Sequence, residues 1–177
     1  TVVAAFQGLS DLVSAENSVE TPMENATEER PTARAAPIAP RSLAVADPSS
    51  YRLVDSPEKL DELAAILRKQ AVVAFDTETT GTQPVQARLV GVSVAWSEGQ
   101  AAYVPVLGIN GDLLSEAQVR ASLGPIFADP SIAKVGHNLK FDLLVLRQIG
   151  IEVRGANFDS MIASFLLNPM RRSHGLK

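Results

Sequence analysis

The 177-residue sequence contains no cysteine. That excludes disulfides, thiolate zinc sites and a thiol nucleophile. It has only two histidines, too few for a histidine-built metal centre. No apolar stretch approaches the ~18 residues of a membrane span; even Leu89 to Trp96, interrupted by Gly91 and Ser93, runs for only eight. Membrane partners are therefore not expected. The chain opens on Thr1, with neither Met nor a basic-then-apolar leader. No signal peptide is expected, the start points to a piece cut from a longer protein, and the expected compartment is cytoplasmic.

The chain also lacks a basic face. Its net charge is −4, and all of it sits in residues 1–50, which hold seven acids and three arginines. Residues 51–177 hold thirteen acids and thirteen bases. A neutral domain has no broad positive surface for duplex nucleic acid. Phosphates could still be met through recruited metal ions rather than Lys and Arg. Apolar residues make up 46%, enough for a sizeable core.

Three regions follow from the residue pattern. Val2, Phe6, Leu9 and Val13 recur at three- and four-residue steps, so residues 1–14 read as a short amphipathic helix ending a preceding domain. Residues 15–48 carry five prolines and no periodic apolar face, the pattern of a flexible linker. The globular part begins near Tyr51. A short strand, Tyr51 to Val54, is followed by a helix that Ser56 caps and Pro57 starts, with Leu60, Leu63, Ala64 and Leu67 on one face. Strands are predicted over Ala71 to Thr77, Leu89 to Trp96 and Ala101 to Val106, the last two joined by a tight turn at Ser97–Gln100. Ser115 and Gln118 form a capping box that opens a helix to about Ala128. Then come a strand at Ile132 to Val135, a helix capped by Asn138 that stops at Gly150, and a helix from Ser160 to Leu167 with Asp159 as its cap. Three successive strands indicate an antiparallel meander, and the later strand–helix alternation indicates parallel additions. The fold class is α/β, a mixed sheet flanked by helices. Trp96 and Phe127 read as core, and His137 and His174 as partly exposed loop histidines.

Two acidic patterns could carry chemistry. In Asp76-x-Glu78 the carboxylates are two apart on a strand, so both leave the same face. Side by side they repel unless a cation lies between them; the plain alternative is a pair of solvated acids. In Asn138-x-x-x-Asp142 the helical spacing stacks the two side chains. Asp142 sits in the apolar run Lys140-Phe141-Asp142-Leu143-Leu144, an unnatural setting for a solvated acid. Oxygen-only ligands suit magnesium or manganese rather than zinc.

These same stretches resemble a known family. Ala74-Phe75-Asp76-Thr77-Glu78-Thr79-Thr80 is similar to the first motif of the 3′–5′ exonuclease (proofreading) domain of bacterial DNA polymerase I, and Val135-Gly136-His137-Asn138-Leu139-Lys140-Phe141-Asp142 to its second. Leu89 to Ser93, Ala101 to Val106 and Gly150 to Met161 resemble the same domain in the same order. RNase D-like exonucleases share the Asp-x-Glu but not the Tyr103-Val104-Pro105-Val106 context. The resemblance implies an RNase H-like sheet of the DEDD superfamily over 51–177, truncated before its third motif. It implies hydrolysis of the 3′-terminal phosphodiester of single-stranded DNA with two Mg²⁺ or Mn²⁺ ions, and a polymerase domain in the same parent chain. Asp76 would bridge both ions, Glu78 would help hold the one that activates water, and Asp142 the other. Thr79 and Asn138 would contact the DNA end. The fourth carboxylate and an orienting tyrosine would lie beyond Lys177, leaving this piece weak or inactive alone. Thr82 stands where the family usually has an apolar residue, and Arg171 and Arg172 lie near a phosphate-contacting region. The alternatives are a non-catalytic, exonuclease-like domain of a polymerase, and an RNA-trimming enzyme of the RNase D type.

Overall fold

A computed structural model describes residues 51–108 and 111–176. The expected helix over 1–14 and linker over 15–48 lie outside the described residues. In chain order the elements are β1 (Arg52–Leu53), α1 (Pro57–Leu67), β2 (Val72–Thr79), β3 (Leu89–Ser97), β4 (Gln100–Pro105), β5 (Leu107–Gly108), β6 (Gly111–Asp112), α2 (Glu116–Ala128), β7 (Ala133–Gly136), α3 (Leu139–Gln148), β8 (Ala156–Asp159) and α4 (Ser160–Leu167).

Six strands form one sheet in the order β1-β4-β3-β2-β7-β8, and β5 with β6 forms a separate small ribbon. The meander is present: β2 pairs antiparallel with β3, and β3 with β4. The parallel additions are β7 on β2, β8 on β7 and β1 on β4. This is the mixed, helix-flanked sheet expected from the element order. Three strands lie outside that expectation, namely β5, β6 and β8. Residues 156–159 carry no apolar run, and they become a strand because β7 offers them a free edge.

One face of the sheet holds the main core. Val73 and Phe75 of β2 pack there with Val92 and Val94 of β3 and with buried residues of α1, α2 and α3. Alternation accounts for this, since every second side chain of β2 points to that face. Phe75 meets Phe127 of α2 edge-on, with ring centroids 5.0 Å apart. The helix starts follow the sequence signals. The Ser56 hydroxyl accepts from the Lys59 N–H, and both halves of the Ser115–Gln118 capping box are formed. Leu60, Leu63 and Leu67 of α1 are all buried, each contributing on the order of 2 kcal/mol.

Asn138 departs from its expected role. It occupies the cap position of α3, but in the left-handed region at φ 63°, and its side chain makes no capping bond. Asp159 caps α3 instead. Its carboxylate accepts from the backbone N–H groups of Asn138 at 2.9 Å and Leu139 at 2.8 Å. It also caps its own helix, accepting from Met161 at 2.8 Å and Ile162 at 3.4 Å. One carboxylate thus serves the positive ends of two helices. Asp159→Ala is therefore expected to lower stability by about 1–4 kcal/mol, twice the usual loss of one cap, in a urea titration. A loss under about 1 kcal/mol would show that the two helices do not depend on this group.

Candidate active site

The strand β2 carries the first acids. Phe75, in the main core, and Thr77 point to one face; Asp76 and Glu78 point to the other. Asp76 sits opposite Ser93 of β3, and Glu78 opposite Gly91. The pairing then slips, forming a bulge between Glu78 and Thr79. Such a bulge ends regular pairing and re-aims the chain just beyond the acids. The loop that follows is pinned at both ends. Thr80 and Arg88 exchange two hydrogen bonds of 3.0 Å each, from the Thr80 N–H to the Arg88 carbonyl and from the Arg88 N–H to the Thr80 hydroxyl. Gln148, the last residue of α3, donates its amide to the Pro84 and Ala87 carbonyls.

Asp76 is half-buried and Glu78 exposed. Burial, and then the charge of Glu78, push the Asp76 carboxyl above the ordinary carboxylate range. Asp142 is only 2% exposed. It comes from the first turn of α3, and its Oδ1 accepts two hydrogen bonds from Thr77: the hydroxyl at 2.6 Å and the backbone N–H at 3.0 Å. Burial raises its carboxyl to about 6; the Thr77 bonds oppose that rise and the charge of Asp76 adds to it. Asp142 and Asp76 are thus electrostatic neighbours. Asp142 lies against Thr77, which points away from the face that carries Asp76 and Glu78. As the side chains stand, no three His, Cys, Asp or Glu among the described residues form a group that could hold a metal ion.

In kind, the donors fit a hard divalent ion. All three are carboxylates, and two are raised in part because neighbouring negative charge is unrelieved. A cation between them would remove that penalty.

The other expected contacts are placed as follows. The Thr79 hydroxyl donates to the Gly81 carbonyl at 2.8 Å. The side chain of Asn138 is half-buried and free of any capping duty. His137, between β7 and α3, bonds through Nδ1 to the Ser160 hydroxyl at 2.9 Å, while its Nε2 is buried without a partner. Gly136 precedes it because a Cβ there would meet Leu139 at 2.5 Å and the Phe75 carbonyl at 3.0 Å. Thr82, Arg171 and Arg172 are exposed.

Tyr103 is marked in the sequence only by the family resemblance, yet it stands at the edge of these acids. Its ring lies across Gly91, where a Cβ would come within 2.3 Å of the hydroxyl oxygen. Since Gly91 pairs with Glu78, the phenol stands beside that acid. Burial and the Glu78 charge raise its pKa. The available signal was Gly91 itself, a glycine inside a strand, which marks a close approach. Nothing in the sequence around Thr77 marks its bond to Asp142.

Two acids at the end of β2 and a buried acid on α3, close enough for Asp76 to act on the charge of Asp142, are set on this sheet, and sequence comparison gives the class of protein. Residues 51–177 match the 3′–5′ exonuclease family, and the chain belongs to it. Within that family the likeness is to DNA polymerase I. The chain is 39% identical over 132 residues to the DNA polymerase I of Chloroflexus aurantiacus, covering 75% of this chain and 14% of that one. It therefore spans about a seventh of such a relative. Two solved structures share the fold. Brucella melitensis NrnC is 28% identical with a TM-score of 0.54, over 72% of this chain and 55% of its own. Escherichia coli RNase D, described as an exoribonuclease involved in structured RNA processing, is 25% identical with a TM-score of 0.51, over 68% of this chain and 30% of its own. The architecture is thus that of RNase H-like exonucleases, and residues 51–177 are similar to the 3′–5′ exonuclease part of DNA polymerase I. Among the described residues no helix is long and apolar enough to cross a membrane.

Proposed function

We propose that residues 51–177 belong to the proofreading part of a DNA polymerase I, which removes the 3′-terminal nucleotide of single-stranded DNA by hydrolysis. The observation that carries this reading is the neighbourhood of three acids: Glu78 raises the carboxyl of Asp76, and Asp76 that of the buried Asp142. Asp76, Glu78 and Asp142 would hold two divalent ions, magnesium or manganese, which when bound activate a water and stabilise the leaving 3′ oxygen. The chain's own residues do the rest. Asp76 and Glu78 place negative charge on one face of β2. The pinned loop 80–88 borders that face. Thr79 and Asn138 would contact the DNA end, and Tyr103 would stand beside Glu78 at the edge of the reacting region. A fourth carboxylate and an orienting tyrosine from further along a longer chain would complete the set.

DNA is favoured over RNA as substrate because the sequence likeness to DNA polymerases, at 39%, exceeds that to RNase D, at 25%. The test is a comparison of single-stranded DNA and RNA of one sequence, digested by the full-length parent with magnesium. Faster shortening of DNA from its 3′ end is expected. Preference for RNA would establish the RNase D-like reading, and no cleavage of either would establish a non-catalytic domain.

A further inference from the structure

Thr77 stands between the two acids of β2, yet it points to the other face and is only 7% exposed. Both of its hydrogen-bond donors end on one atom, Oδ1 of Asp142, 65 residues away in sequence. A buried carboxylate can turn about its last torsion unless something fixes it. Two donors on one oxygen hold the carboxylate in one orientation. The hydroxyl bond, at 2.6 Å, is the shorter of the two and in the range of charge-assisted bonds. Any side chain at position 77 would keep the backbone N–H bond; only a hydroxyl supplies the second.

From this geometry we infer that Thr77 is a positioning residue for metal binding, orienting Asp142 through the paired bonds to Oδ1. The inference rests on the proposed metal site. Partners of this kind, bonded to a ligand rather than to the ion, typically change metal affinity by 10–100-fold when lost. Valine has nearly the shape of threonine without the donor, and serine keeps the donor without the methyl. Thr77→Val removes the hydroxyl bond while preserving the strand, and Thr77→Ser retains the bond.

The experiment measures Mn²⁺ affinity of the 177-residue chain by electron paramagnetic resonance of the unbound ion, with no substrate present. Thr77→Val is expected to weaken Mn²⁺ binding by about tenfold or more, and Thr77→Ser to restore it to within about threefold of wild type. A purely structural role would instead lower the melting temperature of both variants and leave affinity unchanged. If Thr77→Val does not fold, Thr77→Ala is compared with Thr77→Ser in its place. Equal affinity in wild type and the variant lacking the hydroxyl overturns the inference while leaving the metal site intact. Absence of Mn²⁺ binding in the wild type overturns the metal-site reading, and the inference falls with it.

Discussion

Asp142→Asn is expected to stabilise the metal-free chain at pH 7 by roughly 3 kcal/mol, and to gain much less at pH 4. In the folded chain the Asp142 carboxyl titrates at about 6, against an ordinary value of 3.8. Between those values the folded state keeps a proton that the unfolded state has released. Stability therefore falls as pH rises through this window; the favourable contribution is fully present below 3.8 and gone above 6. The displacement corresponds to roughly 3 kcal/mol at neutral pH. Asparagine keeps an Oδ1 that can accept both Thr77 bonds, so the change removes the charge and little else. Urea denaturation at the two pH values measures the effect. An equal gain at both would mean that the charge of Asp142 is not what destabilises the fold.

The second large effect concerns the metal. An ion that binds only the folded state raises its stability by RT ln(1 + [L]/Kd), about 2.7 kcal/mol at a hundredfold excess over Kd. Under the proposed function the three acids would be part of a larger ligand set, so the rise is expected at millimolar Mn²⁺ or Mg²⁺. Asp76→Ala should differ from wild type twice over. Without metal it should melt slightly higher, because it removes a half-buried acid whose carboxyl is already raised by burial and by Glu78. With metal it should show no rise. Thermal melts of both proteins, with and without Mn²⁺, decide this. An equal metal response would exclude Asp76 as a ligand.

Much of the fold was legible in the sequence because its signals are local. Ser56-Pro57 with Leu60, Leu63 and Leu67 announced α1. The Ser97–Gln100 turn announced the hairpin that pairs those two residues. Ser115 and Gln118 announced α2. What was not legible depends on partners far away in sequence. Residues 156–159 become strand only because β7 lies beside them. Asp159 reads locally as the cap of its own helix, and nothing near it reveals that it also caps α3. Asn138 has the residue type and spacing of a cap, but its left-handed backbone turns it to another use. At the site, alternation puts Asp76 and Glu78 on one face of β2 and Thr77 on the other. The bond from Thr77 to Asp142 depends on α3, 65 residues away, and no local pattern announces it.

Under the proposed function these acids serve hydrolysis at a DNA 3′ end. The decisive measurement is digestion of 5′-labelled single-stranded DNA by the full-length parent, wild type and Asp76→Ala. The wild type should give a magnesium-dependent ladder that shortens from the 3′ end, and the variant a rate at least about a thousandfold lower, as when one member of a cooperating set is removed. The same ladder at the same rate from both proteins would contradict that function.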